Sequence, residues 1–203
     1  HHLSSQHAYW SNNGWKIGHL SRDDDTNPRQ ARISSFEVID HILEKLANKQ
    51  KYPNLTHVVI AGHSAGGQFV NRYFAGSTEL DKYASSFRIR GIVANPSSYL
   101  YLDSRRWHDA SRSFQDIPAL RTQCAKYNEY KYGLEDLNKY MSTAGVNTII
   151  GQYGHRNVIY LLGDQDKDPQ SNLLDISCPA MIQGRHRLER GLRYFEYIRM
   201  FYG

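Results

Sequence analysis

Between Ile33 and Leu46 the apolar residues recur three and four apart: Ile33, Phe36, Ile39, Ile42, Leu43 and Leu46. That spacing puts them on one side of a 3.6-residue turn and predicts an amphipathic helix over 34–49. Ser34 followed by Glu37 is a capping box, and Lys45 and Lys49 complement the negative end of the helix dipole. Pro53-Asn54 ends the segment. His41, inside it, reads as a structural or exposed residue. The period then changes. Residues 57–61, His-Val-Val-Ile-Ala, form a short β-branched run of the kind found in buried parallel strands. A second helix over 65–76 has Phe69, Val70, Tyr73 and Phe74 to bury. Further strands are expected at 88–94, ended by Asn95-Pro96-Ser97-Ser98, and at 157–162, ended by Gly163. A last helix is expected over 184–201. Strands alternating with helices predict a parallel α/β sheet with right-handed crossovers.

Two stretches depart from this alternation. Residues 8–31 are polar and turn-rich, with Asn12-Asn13-Gly14, Asp23-Asp24-Asp25 and Asn27-Pro28. The acidic triplet lacks the alternating ligand spacing of a calcium loop and reads as a solvated loop. The insertion at about 99–150 carries Tyr99, Tyr101, Trp107, Tyr127, Tyr130, Tyr132 and Tyr140. Tyrosine joins an apolar body to a polar tip, which suits either a lid over a site or an aromatic mini-core.

Composition narrows the class. At 203 residues and 40% hydrophobic, the chain has material for one folded domain. No apolar run approaches the roughly 20 residues needed to span a bilayer. The start, His1 to Gln6, has no apolar core like that of a signal peptide. The formal charge of +5 raises a nucleic-acid partner, but the basic residues are dispersed. The densest set, Arg185, Arg187, Arg190, Arg193 and Arg199, alternates with Tyr194, Phe195 and Tyr197. It reads as one solvated basic face and one buried aromatic face. Cys124 and Cys178 allow one intramolecular disulfide and lack metal-site spacing. With the sequon Asn54-Leu55-Thr56, they tilt the reading toward an exported protein.

The chemistry concentrates in Gly62-His63-Ser64-Ala65-Gly66, where the 57–61 strand meets the 65–76 helix. This is the G-x-S-x-G nucleophile elbow. A serine at so sharp a turn is held in strained backbone angles, and glycines two residues either side remove side chains that would clash. The helix N-terminus directs N–H groups at developing negative charge, with the Ala65 N–H as oxyanion donor.

From about residue 55 to 200 the chain resembles the α/β-hydrolase superfamily of serine hydrolases. Ala61–Gln68 (AGHSAGGQ), Asn95-Pro96-Ser97, Tyr160–Asp166 (YLLGDQD) and Gln183–Gly191 (QGRHRLERG) are similar to a little-characterised group within it. The resemblance implies a three-layer α/β fold around a mostly parallel sheet, with Ser64 as nucleophile. It implies an acid in the turn after a late strand, which lands on Asp166. Asp164 is the alternative in the same turn, and Asp103 is more distant. The histidine of such an enzyme follows one further strand, so it is expected beyond Gly203. His186 follows the acid in the right order but falls within the predicted last helix. His155 and His108 precede the acid, and His63 flanks the serine and points away.

Early strands of the fold, the last strand and half of the oxyanion hole are also missing. The 203 residues therefore read as a single partial core, an internal fragment whose sheet edges are unprotected. The expected activity is hydrolysis of a small-molecule ester, thioester or amide by acyl transfer, without cofactor, metal or nucleic acid. The rival reading is a non-catalytic ligand-binding or scaffold protein that retains the elbow. A histidine after the last strand separates the two.

Overall fold

The computed structural model describes residues 7–25, 28 and 31–203; the His1–Gln6 start and Asn27 lie outside them. A 3-10 turn, Trp15–Ile17, precedes helix α1 (Ser35–Leu46). The capping box forms as the spacing predicts: Ser34 Oγ accepts from the Phe36 N–H, and the Glu37 carboxylate accepts from the Ser34 N–H. Phe36 and Leu43 are buried, whereas Ile42 faces solvent.

Strand β1 (His57–His63) runs into α2 (Ala65–Gly76), and the short α3 (Glu79–Lys82) leads to β2 (Arg88–Ala94). The insertion holds an antiparallel hairpin, β3 (Arg106–His108) and β4 (Ser113–Gln115), followed by α4 (Leu120–Gln123) and α5 (Lys139–Ala144). Next come α6 (Val146–Tyr153), β5 (Val158–Leu161), α7 (Cys178–Met181) and α8 (Arg187–Tyr202). The main sheet has the order β1-β2-β5 and is parallel throughout.

Val58, Ile60, Ile89, Val93, Val158 and Tyr160 turn to one face of this sheet, against Tyr73 and Phe74 of α2 and Tyr194 and Tyr197 of α8. Truncating a fully buried ring such as Phe74 to alanine removes about 3–5 kcal/mol of packing. The opposite face is open: Val59 is 55% exposed and Leu161 50%. This corrects the expectation of a strand buried on both sides. The described residues provide helices on one face only, two of the three layers. Beyond β1 and β5 no further strand pairs with the main sheet among the described residues.

The last helix also departs from the pattern. It begins at Arg187 with His186 as its cap, and two of its arginines, Arg187 and Arg190, are buried rather than on a solvated face, while Arg199 is exposed. Arg190 is fully buried and donates to the carbonyls of Gly184, Ser97 and Asp175. Arg187 is buried against Ser97 and Asp166, while Phe195, expected inside, is exposed. Guanidinium groups spent on internal carbonyls are withdrawn from any surface polyanion.

In the insertion, Tyr99 and Tyr101 enter the main core, and Tyr127 forms a smaller cluster with Leu120 and Cys124. Cys124 is bonded to Cys178, joining the end of α4 to the start of α7. A carboxylate ties α1 into the same core. Asp40 accepts from the hydroxyls of Tyr73, Ser77 and Tyr140. Burial raises its pKa, and the three hydroxyl donors offset part of that rise.

Candidate active site

Ser64 sits between β1 and α2 with φ 54° and ψ −112°, a conformation an L-residue holds only under constraint. Its N–H donates to the Ala94 carbonyl at 2.9 Å and its carbonyl accepts from Gln68, so the backbone is clamped on both sides. Ser64 is the N-cap of α2, yet its side chain makes no capping bond. The Oγ is thus left to other partners. Ala65 is the first helical residue, so its N–H has no intrahelical acceptor and lies at the positive end of the helix.

The glycines divide their work differently from the motif's logic. A Cβ on Gly62 would lie 2.1 Å from the Gly66 carbonyl oxygen, and one on Gly67 would lie 2.6 Å from the Ala94 oxygen. A Cβ on Gly66 would meet nothing within 4 Å. Close approach therefore requires glycine at 62 and 67, and the expected clash at 66 is absent.

The acid turn is fixed to the end of β2. Asn95 accepts from the Gly163 N–H through its Oδ1 at 2.8 Å, while its own N–H donates to Leu161. Because β1, β2 and β5 are neighbours in that order, Ser64 and the 163–166 turn stand about two strand spacings apart, roughly 10 Å. Asp166 is mostly buried, and its Oδ1 accepts from Arg187 Nη1 at 3.3 Å. Arg187 also donates to Ser97 Oγ and Ser171 Oγ. Asp164 is exposed at the tip of the turn. Asp103 is committed elsewhere, accepting from Arg105 and the Tyr197 hydroxyl.

The side chains of four described histidines have partners other than Ser64. His41 faces Glu44, His57 faces Thr56 and His108 faces Ser111. His63 is exposed at the end of β1. His186 Nδ1 accepts from the Glu189 N–H at 3.2 Å, capping α8. Neutral imidazole with an accepting Nδ1 carries its proton on Nε2, the tautomer opposite to that of a serine base held by a carboxylate.

Two features escaped the sequence pattern. Arg187 lies in the first turn of a helix, where the dipole disfavours a cation. That misplacement was a readable sign of a partner outside the helix, here Asp166. The second is the Lys131–Asp175 pair at 2.9 Å, with the Tyr132 and Ser177 hydroxyls on the same carboxylate. Burial would raise the Asp175 pKa, but Lys131, Ser177 and Tyr132 outweigh it and hold the carboxyl below the usual range. Its stabilising contribution is complete above the unfolded-state value of 3.8 and is lost as pH falls from there toward the lower folded value. Asp175→Asn is expected to flatten this part of the stability–pH curve below about pH 4, read by thermal melts across the acid range.

The parallel strands of this order, with Ser64 and the 163–166 turn at their C-terminal ends, form a mixed α/β fold of the α/β-hydrolase type. No protein-family model matches the chain, and no curated protein matches it. Among solved structures it is similar to poly(aspartic acid) hydrolase-1 from Sphingomonas sp. KT-1, at 27% identity and a TM-score of 0.55, covering 92% of this chain and 57% of that one. It is also similar to LpqC, a poly(3-hydroxybutyrate) depolymerase from Bordetella parapertussis, at 21% identity and a TM-score of 0.56, covering 93% and 50%. The chain therefore spans little more than half the length of these neighbours.

Proposed function

We propose that the protein is a serine hydrolase that cleaves an ester, thioester or amide by acyl transfer. Ser64 attacks the carbonyl carbon. Asp166 orients an imidazole that takes the serine proton and returns it to the leaving group. The Ala65 N–H stabilises the oxyanion of the tetrahedral intermediate. The observation that carries the reading is the strained Ser64 backbone at the head of α2, with its hydroxyl free of capping. The similarity to a poly(aspartic acid) hydrolase favours a substrate with repeating carbonyl linkages.

Ser64→Ala is expected to lower turnover of a p-nitrophenyl ester by about 10⁴-fold or more in the native protein. Undiminished turnover would remove Ser64 from the mechanism. A second reading, a ligand-binding protein without a working triad, is favoured by one observation: Asp166 is already paired with Arg187. Absence of turnover with every activated ester, at unchanged folding, is its expected result.

A further inference from the structure

Asp166 is held by an arginine that its own helix does not favour. Arg187 opens α8, where the positive end of the helix dipole repels a cation, and its side chain is only 9% exposed. A guanidinium buried there is stable only when acceptors outside the helix meet it. Three do so. Nε donates to Ser97 Oγ at 3.1 Å, and Nη1 donates to Ser171 Oγ and Asp166 Oδ1, each at 3.3 Å. The Ser97 hydroxyl proton goes to the Leu173 carbonyl, which leaves its oxygen lone pairs for Arg187.

The backbone of the acid turn is tied down without this arginine. The Gly163 N–H donates to Asn95 Oδ1, the Asp166 N–H to the Gly163 carbonyl, and the Leu188 N–H to the Asp166 carbonyl. Rotation of the Asp166 side chain is the freedom left over, and the bond from Arg187 acts on that rotation. It occupies one carboxylate oxygen. Asp166 Oδ2 accepts from no described residue and the side chain keeps 22% exposure, so the carboxylate retains an oxygen for a second donor. The end of β2 braces the whole arrangement: Ala94 holds the Ser64 N–H, Asn95 the turn, and Ser97 the guanidinium.

We propose that Arg187 is a positioning residue of the hydrolase: braced by Ser97 and Ser171, it holds the Asp166 carboxylate so that Oδ2 faces the imidazole N–H. The inference rests on the serine-hydrolase reading and adds a group that acts only through Asp166.

The test is a double-mutant cycle on kcat and KM for a p-nitrophenyl ester, made in the native protein with Arg187→Met, Asp166→Asn and the two combined. Arg187→Met is expected to lower kcat about 10²-fold, the effect of misplacing a reacting group by about 1 Å, with KM held within about twofold. Arg187→Lys, which keeps the charge without the planar fork, recovers about tenfold of that loss. In the Asp166→Asn background, Arg187→Met costs less than about twofold, because groups that act as one unit are not additive. Ser171→Ala frees the same Nη1 at a half-buried position and lowers kcat several-fold, again only while Asp166 is present; it carries the cycle if Arg187→Met does not fold. An unchanged or raised kcat in Arg187→Met, or equal losses in both backgrounds, would overturn the proposal and leave the hydrolase reading standing. Native turnover in Asp166→Asn would overturn the acid assignment and this inference together.

Discussion

Alanine at position 62 is expected to destabilise the protein by more than about 4 kcal/mol, whereas alanine at position 66 is expected to leave it as stable or slightly more so. The added methyl at 62 would sit 2.1 Å from the Gly66 oxygen and 2.2 Å from its carbonyl carbon. Both are backbone atoms, so no rotamer change relieves the contact. The β1–α2 junction itself must open, and the clamp between Ser64 and Ala94 opens with it. At 66 the methyl enters open space and gains helix propensity worth up to about 1 kcal/mol. Urea melts of the two single variants check the pair. Equal midpoints would mean that the elbow is not packed as described.

The second large effect is that of the disulfide. Cys124 and Cys178 are 54 residues apart, and their bond links two four-residue helices, α4 and α7. In the chain-entropy account, closing a loop of that length stabilises the folded state by about 4 kcal/mol. The double variant Cys124→Ser/Cys178→Ser is therefore expected to melt about 8–16 °C lower, the shift that follows for a domain of this size. The smaller Leu120–Tyr127 cluster is the part expected to loosen first, seen as faster amide exchange over 117–127 and 178–183. An unchanged melting temperature would show that the insertion is held by its core contacts alone.

Most of the fold was legible because its signals are local. The helix over 34–49 rests on periodicity and on a capping box that closes within four residues. The Gly62–Ser64 turn rests on one strand meeting one helix. What was not legible depends on distant partners. Arg190 looks like a solvated residue until the carbonyls of Ser97 and Asp175 are brought to it from 93 and 15 residues away. Val59 looks like core in a β-branched run, and its exposure follows from which face of the sheet the helices cover. In the candidate site, Ser64, Ala65 and Asp166 were named from the motif and the resemblance. The ion pair between Asp166 and Arg187 was not, since the clue was only a cation at the wrong end of a helix. Gly66 shows the converse, a motif position whose glycine no neighbour requires.

We propose Ser64 as an activated nucleophile. The most direct measurement is the intact mass of the native protein before and after exposure to a fluorophosphonate, with the adduct mapped by peptide sequencing. A single adduct on Ser64, absent in Ser64→Ala, is the expected result. A folded native protein that stays unlabelled, or that is labelled at another residue, would contradict it.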